Sequence, residues 1–203
     1  MNLLILGTED TLAATIARAA CERGAKVALA AMSASARDGC VRFRGSQESE
    51  SAVDTLIENV VAQVPLIDSA IIVLPAAPLG PLHEVSLDQW HGLVTDPLRR
   101  VFLLARRLVE EFLASGRGGR LILVVGSNEP EANLIVEEAA TSFARSVARE
   151  YGRRALTCNV VLPAPGMDSP AGGLEPITDC ALFLASGRAS FVNGEAFVVA
   201  AKR

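Results

Sequence analysis

Short apolar runs alternate with longer stretches of helical period along the whole chain. Residues 3–6 (LLIL) are unbroken apolar and stop at Gly7, which predicts a strand and a turn. Over residues 11–23 the apolar positions Leu12, Ile16, Ala19 and Ala20 follow helical spacing, and Gly24 stands where a helix takes its closing glycine. Residues 26–31 (KVALAA) predict a second strand and 40–44 a short third. Residues 33–39 are too few for a full helix. Val53, Leu56, Ile57, Val60 and Val61 mark a helix over 51–64. Residues 69–74 (SAIIVL) predict strand four, stopped by Pro75 at the head of a Pro-rich loop over 75–81. Helices over 96–115, 133–152 and 177–186 then alternate with strands over 120–125 (RLILVV), 156–162 (LTCNVVL) and 196–200 (AFVVA). About seven strands, apolar on both faces and separated by helices, predict an α/β fold. It is a Rossmann-like doubly wound parallel sheet with helices on both faces. No linker divides the 203 residues, so one domain is expected over 1–203.

Composition narrows the chemistry. The net charge is −4 and the pI about 5.3, so no general attraction to nucleic acid is expected. The longest apolar runs are strand-sized, short of the ~20 residues of a membrane span. MNLLILG has no basic flank and reads as a first strand, so a cytoplasmic protein is expected. Cys21, Cys40, Cys158 and Cys180 form no CxxC pair and are expected as reduced thiols; with only His83 and His91 available, no metal site is expected. The single tyrosine is Tyr151 and the lysines are Lys26 and Lys202, so any Tyr–Lys chemistry must draw on these.

Several segments together resemble the short-chain dehydrogenase/reductase family: Gly7 after strand one, ERGAKVALA at 22–30, and LDQWHGLVTDPLRRVFLLARRL at 87–108. GGRLILVVGS at 118–127, AATSFARSVAREYG at 139–152, CNVVLPAPG at 158–166 and ALFLASGRASFVNGEAFVV at 181–199 complete the set. The resemblance implies the Rossmann framework over the whole chain, and an NAD(P)-dependent oxidoreductase with a Ser–Tyr–Lys site. The family's TGxxxGxG loop falls on Leu6-Gly7, Thr11 and Ala13, so of its glycines only Gly7 remains. Glu9 and Asp10 lie in that turn. A carboxylate ~5 Å from a phosphate costs roughly 3 kcal/mol at an effective dielectric of 20, whereas a helix N-terminus returns about 0.3–1 kcal/mol. Both acids suit a first helical turn better than a pyrophosphate site. The acid after strand three, which meets adenine in the family, falls near Ser46. NNAG becomes Leu74-Pro75-Ala76-Ala77, and the Asn of the proton relay becomes Pro97, which suits a helix start.

The catalytic positions depart in the same direction. YxxxK falls on Leu134 and Glu138; Leu134 has no proton to give, and Glu138 has the wrong sign to lower a phenol's pKa. Ser127 stands near the family's serine. A Ser127–His91 hydrolytic pair would lack the GxSxG elbow. Tyr151 lies ~20 Å along its helix from Glu138. Glu129, Glu131, Glu137 and Glu138 suit solvated helix-start acids. Arg99, Arg100, Arg106 and Arg107 suit a solvated or partner-facing stripe. Ala139, Ala140, Phe143, Ala144, Val147 and Ala148 form an apolar stripe for the sheet or for a partner. The segment after strand two and the substrate lid after Gly166 are short for the family.

The expectation is therefore a pseudoenzyme: no catalytic residues (vestigial Ser127, Leu134 and Glu138), no bound cofactor (vestigial Gly7, Thr11, Ala13 and Ser46) and no metal. Its role would be a structural subunit, homo-oligomeric or paired with an active family member through helices 96–115 and 133–152. The alternatives are a divergent oxidoreductase using NAD or NADP, with Glu138 as an unrecognised acid, and a small-ligand sensor using the vestigial cleft.

Overall fold

The computed structural model describes residues 1–7, 11–31, 39–126, 133–164 and 174–200. Its centre is one seven-stranded sheet: β1 (Asn2–Leu6), β2 (Lys26–Ala30), β3 (Val41–Phe43), β4 (Ser69–Pro75), β5 (Gly119–Gly126), β6 (Leu156–Pro163) and β7 (Ala196–Val199). The spatial order is β3-β2-β1-β4-β5-β6-β7, and neighbouring strands pair in parallel. Each crossover carries its helix to one face or the other, as a parallel sheet requires. On one face lie α2 (Glu50–Gln63), α4 (Asp96–Ser115) and α5 (Leu134–Tyr151); on the other lie α1 (Thr11–Glu22) and α6 (Glu175–Ala185). The short α3 (Leu87–Trp90) precedes α4.

Strand residues alternate between two cores, as the pleat dictates. Leu4 and Leu6 of β1 join the α2/α4/α5 core with Leu104, Phe112 and Ala144, while Leu3 and Ile5 join the α1/α6 core with Ile16 and Leu184. Several polar groups among these strands are paired. The Ser69 hydroxyl donates to the Ala185 carbonyl at 2.6 Å. Asn159 donates to Val192 O and accepts from Glu195 N, and Asn193 accepts from Cys158 N, so two amides stitch β6 to the entry of β7.

Gly24 has the left-handed φ of +80° expected of a helix-closing glycine. Gly119 is required for another reason: a Cβ there would lie 2.2 Å from the Phe112 ring.

Both prolines stand at element ends, as expected. Pro75 is the last residue of β4, where it pairs with Gly126. The long helix α4 has the expected bounds, Asp96–Ser115, with Pro97 in its first turn. The segment ahead of it adds a feature the sequence did not show: α3 opens behind a capping box in which the Ser86 hydroxyl accepts from Gln89 N and the Gln89 side chain accepts from Ser86 N. A π turn (His91–Thr95) then leads into α4. Pro97 occupies the first turn after the π segment, where its lack of an N–H interrupts regular α bonding.

Candidate functional site

In a doubly wound sheet the crevice lies outside the carboxyl ends of the strands, where the strand order reverses. Here that point is between β1 and β4. The residues around it are Gly7, the N-terminal turn of α1, the loop after β3, the exit of β4, the π turn and the first turn of α5.

Gly7 and Ala13 meet directly. A Cβ on Gly7 would lie 2.9 Å from the Ala13 Cβ, and Ala13 is buried. The glycine is thus required by helix–strand packing at this point. Thr11 begins α1 and is exposed; its carbonyl accepts from the Thr15 hydroxyl at 2.8 Å. Glu9 and Asp10 lie outside the described residues. Ser46 is exposed, and its hydroxyl accepts from Glu48 N at 3.3 Å.

The neighbouring Gln47, which the sequence reading missed, is the buried group. It is 5% exposed, and its Nε2 donates to Gly7 O at 3.2 Å and Ala30 O at 3.3 Å, capping the carboxyl ends of β1 and β2. Its Oε1 and Arg100 Nη1 are buried without a hydrogen-bond partner among the described residues. Both residues line a small cavity of about 160 Å³ with Glu48, Asp96 and Arg99. Burial is the main force lowering the Arg100 pKa, opposed by Glu48 and Asp96.

A second buried amide organises the far side. Asn133, 2% exposed, caps α5: its Oδ1 accepts from Val136 N at 3.3 Å. Its Nδ2 donates to Ala77 O at 3.1 Å and Leu93 O at 3.2 Å. Leu93 is four residues before Pro97, so its carbonyl is the one that an α-helical N–H at position 97 would serve. One side chain thus ties the exit of β4, the π turn and the start of α5 together. The sequence places Asn133 at a helix start, but nothing in it shows the other two contacts.

Leu134 and Glu138 sit on the exposed side of the first turns of α5. Leu134 is 67% exposed. Glu137, between them in sequence, is 8% exposed, and its Oε1 lacks a partner among the described residues. Burial first, and then the Glu138 charge, raise its pKa above the ordinary carboxylate value. Glu137 therefore departs from the solvated acid expected from the sequence. Tyr151 ends α5, about 25 Å from Leu134 at 1.5 Å per residue. Its phenol pKa is raised, chiefly by a hydrogen bond to Glu150, opposite to what a proton donor needs. Lys26 opens β2 at the other end of the sheet. Ser127, Glu129, Glu131, the lid segment 165–173 and Lys202 lie outside the described residues. His91 is exposed at the start of the π turn, and exposed His83 lies 3.5 Å from Glu84. Among the described residues no group of His, Cys, Asp and Glu side chains has the arrangement of a metal site, and no helix is long and apolar enough to cross a membrane.

The arginines of α4 are not a single solvated stripe. Arg106 pairs with Glu50 at 2.6 Å and Arg107 with Asp54 at 3.4 Å, so both reach α2; each also pairs one turn along α4, with Glu110 and Glu111. The α5 stripe also divides. Ala140, Ala144 and Val147 enter the core, whereas Phe143 is only partly buried. Phe143 lines an apolar groove of about 290 Å³ between α4 and α5, together with Phe102, Ala105, Val109, Leu113 and Val147. Phe102 is 50% exposed.

Comparison with known proteins agrees with this architecture. A family model described as Enoyl-(Acyl carrier protein) reductase matches residues 7–172. The 3-oxoacyl-[acyl-carrier-protein] reductase FabG of Salmonella typhimurium is 26% identical over 226 residues, covering 95% of this chain and 92% of that protein. The D-threitol dehydrogenase of Mycolicibacterium smegmatis is 22% identical over 233 residues, covering 97% and 90%. Both alignments span more positions than this chain's 203 residues, so these relatives carry segments that it lacks. Among solved structures, a putative oxidoreductase from Escherichia coli K-12 superposes with a TM-score of 0.82 at 17% identity, covering 99% of this chain and 96% of that one. A Serratia marcescens short-chain dehydrogenase/reductase gives 0.81 at 20%, covering 98% and 96%. With its seven-stranded parallel sheet and a family match running from Gly7 past β6, the chain belongs to the short-chain dehydrogenase/reductase family.

Proposed function

We propose that this chain is a pseudoenzyme of its family, a structural subunit that assembles with a second chain of the same fold, its own copy or an active relative. The observation that carries this reading is the first two turns of α5. Where the family resemblance asks for a phenol and an amine, exposed Leu134 and Glu138 stand, and Tyr151 and Lys26 are too far away to replace them.

The cofactor side supports the same reading. The described residues do not fit a dinucleotide well. Gly7 is closed against Ala13, and the Gln47 donors are spent on Gly7 and Ala30. The floor at Leu74, Pro75, Ala76 and Ala77 has no polar side chain, and the Ala77 carbonyl already accepts from Asn133. The assembly role rests on the α4/α5 groove, whose exposed Phe102 and partly buried Phe143 lie within a rim of Arg106, Ser146 and Glu150. An apolar centre with a polar rim is the anatomy of a protein interface.

Calorimetric titration with NAD(H) and NADP(H) tests the loss of the cofactor; micromolar binding overturns it. Light scattering tests assembly. A dimer or tetramer that Phe102→Asp reduces to monomer is expected, and a monomeric wild-type chain that also captures no family member from its host overturns the subunit role.

A second reading, a divergent oxidoreductase, is favoured by one observation. Glu137 is a buried carboxyl whose pKa burial raises above the ordinary carboxylate value, the direction a proton donor needs. Cofactor-dependent turnover that Glu137→Gln abolishes while binding persists would establish it.

A further inference from the structure

Cys21 lies in the last turn of α1 and Cys40 immediately precedes β3. Nineteen positions apart in sequence, their Sγ atoms are 2.9 Å apart in the fold. Both are thiols and both are half-buried, at the edge of the core beneath α1. Cys40 Sγ also points at the Ala17 carbonyl, 3.8 Å away. A disulfide needs its sulfurs at about 2.05 Å, so a shift of less than one ångström separates the thiol pair from a bonded one.

We infer that Cys21 and Cys40 form a reversible intramolecular disulfide when the protein meets a peroxide. One thiol, as its thiolate, attacks a peroxide oxygen. An S–O bond forms, the O–O bond breaks, and the leaving oxygen departs as water with the thiol's proton. The second thiol then attacks the resulting sulfenic sulfur. The S–S bond forms, the S–O bond breaks, and a second water leaves. Two thiols lose two electrons, and one hydrogen peroxide becomes two waters. A dithiol reductant reverses the change.

The remaining cysteines are poor competitors. Cys158 is fully buried in the sheet, and burial pushes its thiol pKa far up. Burial also raises the Cys180 thiol. Thiolate, the reactive form, is correspondingly scarce at both.

The location gives the bond a consequence. β3 has only three residues and is the sheet's edge, bonded to its single neighbour β2. Such an edge opens before the core does. A bond from Cys40 to α1 closes a loop containing all of β2 and holds the β2–β3 edge to the helix that packs on it. The loop after β3 carries Gln47, which caps Gly7 and Ala30, so the bond also fixes that side of the crevice.

The test is peptide mapping of the whole chain after brief hydrogen peroxide treatment and alkylation, without reduction. A single cross-linked peptide containing Cys21 and Cys40 is expected, about 2 Da below the sum of the two thiol peptides and lost on dithiothreitol treatment. Closing a 20-residue loop should raise Tm by the order of 10 °C in the oxidised protein. Cys21→Ser and Cys40→Ser should each abolish the shift while melting like the reduced wild type; each serves where the other fails to fold. Sulfinic acid at either cysteine, an intermolecular cross-link, or earlier oxidation of Cys158 or Cys180 would overturn the inference. An oxidised protein with the intended bond and an unchanged Tm would overturn its stabilising role.

Discussion

Replacing Asn133 by alanine removes three hydrogen bonds from one buried side chain. Loss of the α5 cap costs about 1 kcal/mol. The carbonyls of Ala77 and Leu93 lose their side-chain donor in a part-buried setting, for about 1–2 kcal/mol each. The expected loss is about 4 kcal/mol, or roughly 8–16 °C in Tm for a chain of this size. Urea melts followed by circular dichroism measure it, provided the slope against urea is unchanged. A second substitution isolates the unusual part of the reasoning. Pro97→Ala supplies a backbone N–H at the position that would serve Leu93, so Asn133→Ala should cost about 1 kcal/mol less in that background. Asn133→Asp keeps the cap acceptor but turns a carboxylate toward two carbonyls, and should be no better than alanine. A loss below 1 kcal/mol for Asn133→Ala, or equal losses in both backgrounds, would refute the view that this amide replaces the helical donor missing at Pro97.

Two further substitutions test the energetics of the site and core. For Glu137 the sign follows from its raised pKa. Below the ordinary carboxylate range both states are protonated; as pH rises the unfolded chain ionises first, and stability falls until the folded carboxyl has also ionised. Glu137→Gln should therefore melt with the wild type at pH 3 and above it at pH 7, and equal melting at pH 7 sinks the claim. Gly119→Ala pushes a methyl to within 2.2 Å of the Phe112 ring and should cost about 3 kcal/mol. Phe112→Ala alone costs about 3–5 kcal/mol through its cavity. The double variant in a denaturant melt should lose clearly less than the two single losses together, because each change relieves the other.

The period of the apolar positions specified the sheet well, because strands buried on both faces admit few other arrangements. The continuous apolar character of residues 3–6, 69–74 and 120–125 placed β1, β4 and β5 within a residue or two at each end. The prolines were legible too: Pro75 ends β4 and Pro97 lies in the first turn of α4. The capped turn at Ser86 and the π turn ahead of Pro97 were not. The buried groups of the crevice were the least legible. Gln47, Asn133 and Glu137 have the side chains of surface residues. Only the fold shows that the first caps strand ends, the second bridges three elements and the third is buried beside its solvent-facing neighbour Glu138. The proximity of Cys21 and Cys40 is invisible for the same reason: it depends on where α1 ends relative to the sheet edge.

Stability and catalysis make separable demands on this fold. Gly7 remains because Ala13 packs against it, a requirement that persists whether or not a phosphate ever approaches. Asn133 remains useful because the π turn leaves a carbonyl to be served. Leu134 and Glu138, by contrast, are exposed on α5, so substitution there costs the fold little. Positions held only by chemistry are those at which a chain relieved of that chemistry can drift without unfolding. On the proposed reading, the positions at which the resemblance implies a change lie at the carboxyl edge of the sheet, outside the two cores. A merely divergent enzyme would be expected to retain one organised proton donor facing the crevice. Glu137 is the buried carboxyl with a raised pKa among the described residues, and its replacement by glutamine tests between the two readings. Unchanged assembly, gained stability at neutral pH and no activity to lose would leave the subunit role standing; loss of a measurable turnover would end it.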